Sequence, residues 1–329
     1  MPKRNPLSGW TRLIKRSLAS AKPPKKPAWL PTALTHTRRP RGDGDWIVGV
    51  AMGAAGARRF HLYRPPGVSA HDKLPLMVML HGCGQNASGF ADSTRMNRVA
   101  RQHHFLVLYP EQDRMSNLQG CWNWYDTQNG RARAEMALIT KSIDQVCLLY
   151  GADRNRVAVA GLSAGASMAA LLATHDPARF KAVIMHSGIP PGTASSTTSA
   201  MQAMYGRRGT APLVATPADM MSSWPPLMVI HGGRDHVVAA SNGEAAVRIW
   251  ADAAQAKASA RRSLQRGKRY PMDVTDFSRG RNVIATHVEI GGLAHAWSGG
   301  AKGEPYSDEQ GPDASRLAWA FAAKQFAKA

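Results

Sequence analysis

An α/β architecture, with a mostly parallel central sheet covered by helices on both faces, is what this sequence predicts. Two patterns carry the prediction. Short apolar runs of strand length alternate with helix-length segments over most of the 329 residues, as expected for strand–helix–strand units whose sheet is buried on both sides. One of these runs ends in a tight Gly-x-Ser-x-Gly turn and passes directly into an Ala-rich helical segment.

In chain order, residues 1–44 read as a basic arm. Residues 1–41 contain eleven Lys or Arg and no Asp or Glu, so they supply +11 of the +20 net charge. The stretch "AKPPKKPAWLP" is too rich in proline for a helix. "GWTRLIKRSL" before it is a candidate amphipathic helix with Trp10, Leu13 and Ile14 on one face. Such an arm suits nucleic acid, anionic lipid or an anionic particle surface, or is a solvated leader. A folded domain is expected over 45–329.

"WIVGVAM" and "RRFHLYRP" predict an antiparallel strand pair. "LPLMVMLHG" is a buried strand ending in His-Gly, "FADSTRMNRVARQH" a helix, and "FLVLYPE" a strand. "ARAEMALITKSIDQVCLLYG" is a helix closed by Gly151, "RVAVAG" a strand and "AGASMAALLATH" a helix. "KAVIMHSG", "PLMVIHGG" and "ATHVEIGG" are three further strands, with the helical "NGEAAVRIWADAAQAKASA" between the last two; "DASRLAWAFAAKQFAK" closes the chain as a helix. Two regions interrupt the alternation. Residues 189–224 are rich in Ser, Thr, Pro and Met and are expected over the top of the sheet. Residues 261–283, with seven Arg or Lys, read as an exposed basic loop.

Composition narrows the function. No apolar stretch reaches the ~18 residues of a membrane span. The N-terminal segment shows no sustained apolar run or small-residue cleavage site, which favours a cytoplasmic protein, with an extracellular one as the alternative. Three cysteines, Cys83, Cys121 and Cys147, are too few for a disulfide scaffold. The twelve histidines show no metal-ligand spacing, and no cofactor motif is present. No nucleic-acid recognition motif accompanies the basic charge.

The chemistry converges on Ser163. It stands in Gly161-Leu162-Ser163-Ala164-Gly165, where a strand turns into a helix, the setting of a nucleophile elbow. The two glycines remove side chains that would collide there, and the helix N-terminus favours developing negative charge. A serine hydroxyl needs a base and an orienting acid, in the order Ser, acid, His, at the ends of later strands. "HGGRDHVV" supplies Asp235 and "GGLAHAWSGG" supplies His295. His236 is the weaker rival base, and Asp273 and Asp276 are rival acids. The oxyanion hole needs two N–H donors: Ala164, just after the nucleophile, and Cys83 in the loop "MLHGCGQN", where His81 is expected to brace the backbone. Trp122, Trp124 and Tyr125, with Trp297 beside the proposed base, are aromatic groups suited to a substrate groove or to core filling; Trp124 and Trp297 are the candidates for substrate contact.

With these residues assembled, the sequence resembles the polyhydroxybutyrate depolymerase family of α/β-hydrolases, related to feruloyl and acetylxylan esterases. The stretches "LHGCGQNASGFADSTRMNRVA", "YPEQ", "GCWNWYD", "GLSAGASMAA", "HGGRDHVV" and "GLAHAWSGG" carry the likeness in order. It implies an α/β-hydrolase fold, the triad Ser163, Asp235 and His295, Cys83 as the oxyanion residue, and hydrolysis of 3-hydroxyalkanoate polyesters or their oligomers. It also implies a Cys83–Cys121 disulfide, which a reducing cytoplasm would oppose. The sequence departs from the family in showing no signal peptide and no C-terminal polymer-binding domain, and in placing Gly84 where Thr is more usual. The first two departures favour an intracellular enzyme or one acting on soluble oligomers, with the basic arm as a link to a granule surface. The competing functions are a feruloyl or acetylxylan esterase, a serine peptidase of the same fold, and a non-catalytic granule- or polyanion-binding protein.

Overall fold

The computed structural model describes residues 39–69, 71–207 and 223–328. Most of the expected basic arm, and residues 208–222 of the Ser/Thr/Pro/Met-rich region, lie outside these. The last residues assigned to the arm belong to the folded unit. Pro40 is buried, Arg41 donates its N–H to Asp92, Asp43 pairs with Arg101, and the Tyr63 hydroxyl donates to the Asp43 carbonyl.

The described strands form an 11-stranded sheet and a small two-stranded one. β1 (Asp45–Gly53) and β2 (Gly56–Arg64) form the expected hairpin, turned at Gly53–Gly56. β3 (Leu74–Leu80), β4 (Leu106–Pro110), β5 (Ala152–Leu162), β6 (Ala182–His186), β7 (Leu227–Gly232) and β11 (Asn282–Ile290) run parallel as the centre. At the far margin lie β8 (Lys257–Ala258), β9 (Arg262–Leu264) and β10 (Met272–Arg279), antiparallel to their neighbours. The path is β1-β2-β4-β3-β5-β6-β7-β11-β10-β8, with β9 on β10. β12 (Trp297–Ser298) and β13 (Ser307–Asp308) pair separately.

Two cores follow from the period-2 alternation of the buried strands. Leu76, Val78, Leu80, Val157 and Val159 face one cluster, while Met77, Met79, Ala158 and Ala160 face the other. The first is covered by α3 (Arg131–Leu149), α4 (Ala164–His175), α5 (Thr197–Met204) and α6 (Ser241–Ala253). The second is covered by α1 (Ala87–Thr94), α2 (Met96–His103) and α7 (Ala314–Phe326). No described helix is long and apolar enough to cross a membrane.

Three local expectations are corrected. The single helix expected over 90–103 is two, α1 and α2, broken at Arg95 in the left-handed region with φ 56°. The Ser93 and Thr94 hydroxyls both donate back to the Phe90 carbonyl, a bond that bends helices, and the Arg95 guanidinium is drawn to the Gly299 carbonyl. The helix after β7 stops at Ala253, and residues 257–258 form β8 instead. The basic segment 261–283 is also no loop. It holds β9, β10 and the start of β11, because Met272 and Val274 alternate inward while Arg261 and Arg262 pair with Asp273 and Asp276.

Candidate active site

Ser163 stands between β5 and α4 at φ 56°, ψ −122°. That conformation is sparsely populated for a residue with a side chain and must be held by its surroundings. Backbone proximity does this. A Cβ on Gly161 would fall 2.3 Å from the Gly165 backbone, and one on Gly165 would fall 2.1 Å from the Leu80 carbonyl oxygen. Both glycines are therefore required for the helix to sit so close to β5 and β3. The Ser163 N–H donates to the His186 carbonyl at the end of β6, 2.9 Å. The first turn of α4 leaves the Ala164 N–H without a partner among the described residues, pointing the helix dipole at the serine.

The loop after β3 lies beside this turn: a Cβ on Gly82 would be 3.6 Å from the Ser163 Cβ. The His81 ring is fully buried and braces the loop, as expected. Its Nε2 accepts the Gln112 N–H at 3.1 Å, so the ring is neutral and its Nδ1–H donates to the Gly82 carbonyl at 2.9 Å. Burial lowers its pKa, which favours that neutral form. The Gly84 N–H donates to Gln119, and Trp122 Nε1 donates to the His81 carbonyl at 3.0 Å. Cys83 is disulfide-bonded to Cys121. The Cys83 N–H has no partner among the described residues.

Behind the loop is a buried polar network that sequence reasoning missed. Glu135, on α3, accepts hydrogen bonds from the Asn123 N–H and side chain and from Gln112. Gln112 also donates to the Cys121 carbonyl, and Arg58 reaches Gln112 from β2 while lying over the Trp122 ring. These partners come from four separate segments, so no local pattern announces them.

Asp235 and His295, the proposed acid and base, meet at the ends of β7 and β11. Gly232 allows their loops to touch, since a Cβ there would fall 2.2 Å from the Leu293 carbonyl oxygen; the Arg234 N–H donates to that carbonyl at 3.0 Å. Asp235 Oδ1 accepts the Val237 and Val238 N–H groups at 2.9 and 2.8 Å, and Oδ2 accepts His295 Nδ1–H at 2.7 Å. Burial would raise the Asp235 pKa, but His295, His231 and the Val238 N–H outweigh it and hold the carboxyl below its ordinary value. The hydrogen bond leaves His295 Nε2 as the free nitrogen. The Ser163 hydroxyl has no hydrogen-bond partner among the described residues.

The rivals are committed elsewhere. His236 is exposed; on β10, Asp273 pairs with Arg261, and Asp276 pairs with Arg262 of β9 and accepts from Thr286 of β11. Two further buried histidines, His186 and His231, lie behind the Asp235–His295 pair. His186 Nε2 accepts the Ser298 N–H at 3.1 Å, and its ring stacks on Trp297 at 5.0 Å. Burial, then His231 and His295, push its pKa down to about 3. His231 is hydrogen-bonded to the Val238 carbonyl and lies 3.5 Å from Asp235 Oδ2. The sequence does carry a signal for them: His81, His186 and His231 each fall at or just past the end of an apolar strand.

Both proposed substrate-contacting tryptophans are corrected. Trp297 is 0% exposed, T-shaped against Phe90, with its indole N–H given to Ser315. Trp124 is 3% exposed, in the core cluster with Trp122. Both rings fill the interior beneath the loops, where their area stabilises the walls of the site.

Residues 58–262 match the family described as Esterase PHB depolymerase. Poly(3-hydroxyalkanoate) depolymerase C of Paucimonas lemoignei is 31% identical over 187 residues, which cover 54% of this chain and 44% of that protein. A probable acetylxylan esterase A of Aspergillus flavus is 26% identical over 59% of this chain and 66% of its own. The chain thus spans less than half of the first relative and about two thirds of the second. The solved acetyl xylan esterase from Aspergillus awamori superposes with a TM-score of 0.58 at 19% identity, over 77% of this chain and 94% of that one, a likeness of fold. By fold and by family, then, this chain is an α/β-hydrolase and belongs to the PHB depolymerase esterases.

Proposed function

We propose that the protein is a serine carboxylester hydrolase acting on 3-hydroxyalkanoate esters through an acyl-enzyme on Ser163. The observation that carries this reading is the buried Asp235–His295 hydrogen bond, 2.7 Å, at the same sheet edge as a serine in a strained elbow. In the first half-reaction the Ser163 hydroxyl attacks the ester carbonyl and His295 Nε2 takes its proton. Asp235 holds the ring in the required tautomer and stabilises the imidazolium. The carbonyl oxygen becomes an oxyanion between the Cys83 and Ala164 N–H groups. As it collapses, the C–O bond to the alcohol breaks and the imidazolium protonates the leaving oxygen. Water, deprotonated by His295, then attacks the acyl-enzyme and releases the acid and Ser163. The family and the depolymerase relative support a hydroxyalkanoate substrate. The Cys83–Cys121 disulfide supports the extracellular alternative over the cytoplasm.

The test is a hydrolysis panel of p-nitrophenyl esters, 3-hydroxybutyrate oligomers, methyl ferulate and acetylated xylan. Ser163→Ala and His295→Ala are expected to lose hydrolysis while remaining folded, and Asp235→Asn to lose about 10⁴-fold in kcat. Ordinary activity in purified Ser163→Ala would exclude the assignment. A preference for acetylated xylan or ferulate over the oligomers would favour the plant-polysaccharide reading, which the acetylxylan esterase relative supports.

A further inference from the structure

Tyr306 lies in no motif of the triad, yet it joins both halves of the site. Its carbonyl accepts the Trp297 N–H at 2.7 Å, two residues beyond His295. Its side chain reaches the opposite loop: a Cβ on Gly84 would stand 3.7 Å from the Tyr306 hydroxyl oxygen, and Gly84 follows the proposed oxyanion donor Cys83. The backbone at Tyr306 is held at φ 54°, an unusual conformation for a bulky residue that surrounding contacts must enforce. Those contacts are visible. The next residue, Ser307, pairs with Trp297 in β12–β13 and donates to the Ala301 and Ser93 carbonyls. The ring packs on the core cluster that includes Phe90 and Trp297.

The hydroxyl itself is uncommitted, with no hydrogen-bond partner among the described residues. Burial raises its pKa, so it stays protonated across the neutral range and keeps its donor. At Gly84 the absent side chain leaves open the space in front of it.

We infer that Tyr306 is a specificity residue whose hydroxyl hydrogen-bonds an oxygen on C3 of the acyl chain, so that the site distinguishes 3-hydroxyacyl esters from plain acyl esters. This rests on the serine esterase reading. The phenol, held beside Gly84 and hence next to the proposed oxyanion donor Cys83, would offer its donor to the bound acyl chain. A 3-hydroxyacyl group carries an oxygen there, whereas a simple acyl chain leaves the hydroxyl without a partner.

The test compares p-nitrophenyl 3-hydroxybutyrate with p-nitrophenyl butyrate, which share chain length and leaving group, on the wild type and on Tyr306→Phe. The variant keeps the ring and its packing. It is expected to lose about five- to tenfold in kcat/KM on the 3-hydroxy ester, the worth of one hydrogen bond, chiefly through KM. On the butyrate it should stay within about twofold. An equal loss on both esters would assign Tyr306 a purely structural part and overturn the inference, as would no loss on either. Wild-type protein inert toward both esters would overturn the esterase reading itself, a result plainly different from an active enzyme blind to the substitution.

Discussion

Cys83 carries two separable duties. Its N–H is the proposed oxyanion donor, and its sulfur ties the loop to Cys121. The first belongs to the backbone and survives loss of the thiol; the second constrains the unfolded chain across a separation of 38 residues. The double variant Cys83→Ala/Cys121→Ala is therefore expected to lose about 2–4 kcal/mol of stability. At 25 °C its kcat should stay within about tenfold of wild type, because the loss of one well-placed oxyanion donor costs about 10²–10³. Thermal melts alongside ester kinetics check both. A folded double variant as inactive as Ser163→Ala would show that the sulfurs, and not the Glu135–Gln112–Asn123 network, set the loop.

The elbow works as an element because β3, β5 and α4 pack backbone against backbone. Gly165→Ala drives a methyl group to 2.1 Å from the Leu80 carbonyl oxygen and 2.5 Å from that of His81. No rotamer relieves a clash with a strand backbone, so the cost is expected at about 3 kcal/mol or more, with α4 and Ser163 displaced and activity lost. Gly291→Ala is the control: a Cβ there meets nothing within 4 Å, and no positive φ is required. Denaturant titrations should separate the two variants clearly, and equal stability would mean that α4 shifts freely.

Across the whole molecule, burial of histidine sets the response to acid. His61, His81, His186, His231 and His287 all have pKa values lowered by burial, His186 to about 3. In the unfolded chain each protonates near 6.5. Between that value and the folded one, the unfolded state binds protons that the folded state refuses. Stability is therefore full above about 6.5 and is lost as pH falls through the window, by up to about 1.4 kcal/mol per unit for each group. Asp235, held low in the fold, adds to the loss once pH drops below the ordinary carboxylate range. Glu135, raised by burial, acts in the opposite sense, but it is one group against five. The melting temperature is expected to fall steadily from pH 7 to pH 5; a flat or rising profile would contradict neutral burial of these rings.

The alternation of strands and helices in the centre, the two-sided core and the tight turn at Ser163 were all legible in the chain. Each rests on local information: periodicity of apolar residues, glycines at a forced turn, and functional residues just past a strand end. The pairing of Asp235 with His295 in preference to Asp273 or Asp276 was also readable from position. The tertiary structure decided the rest. It turned the basic segment 261–283 into sheet, because Asp273 and Asp276 neutralise arginines that looked free in one dimension. It broke the helix at Arg95 through a carbonyl 204 residues away. It buried Trp124 and Trp297, whose place in loops suggested exposure, since a loop pressed onto the core hides its rings as fully as a strand does. It set Tyr306 opposite Gly84 and Glu135 beneath the Cys83 loop. Contacts of that kind join residues far apart in sequence, and only the closed geometry of the fold brings them within reach of a hydrogen bond.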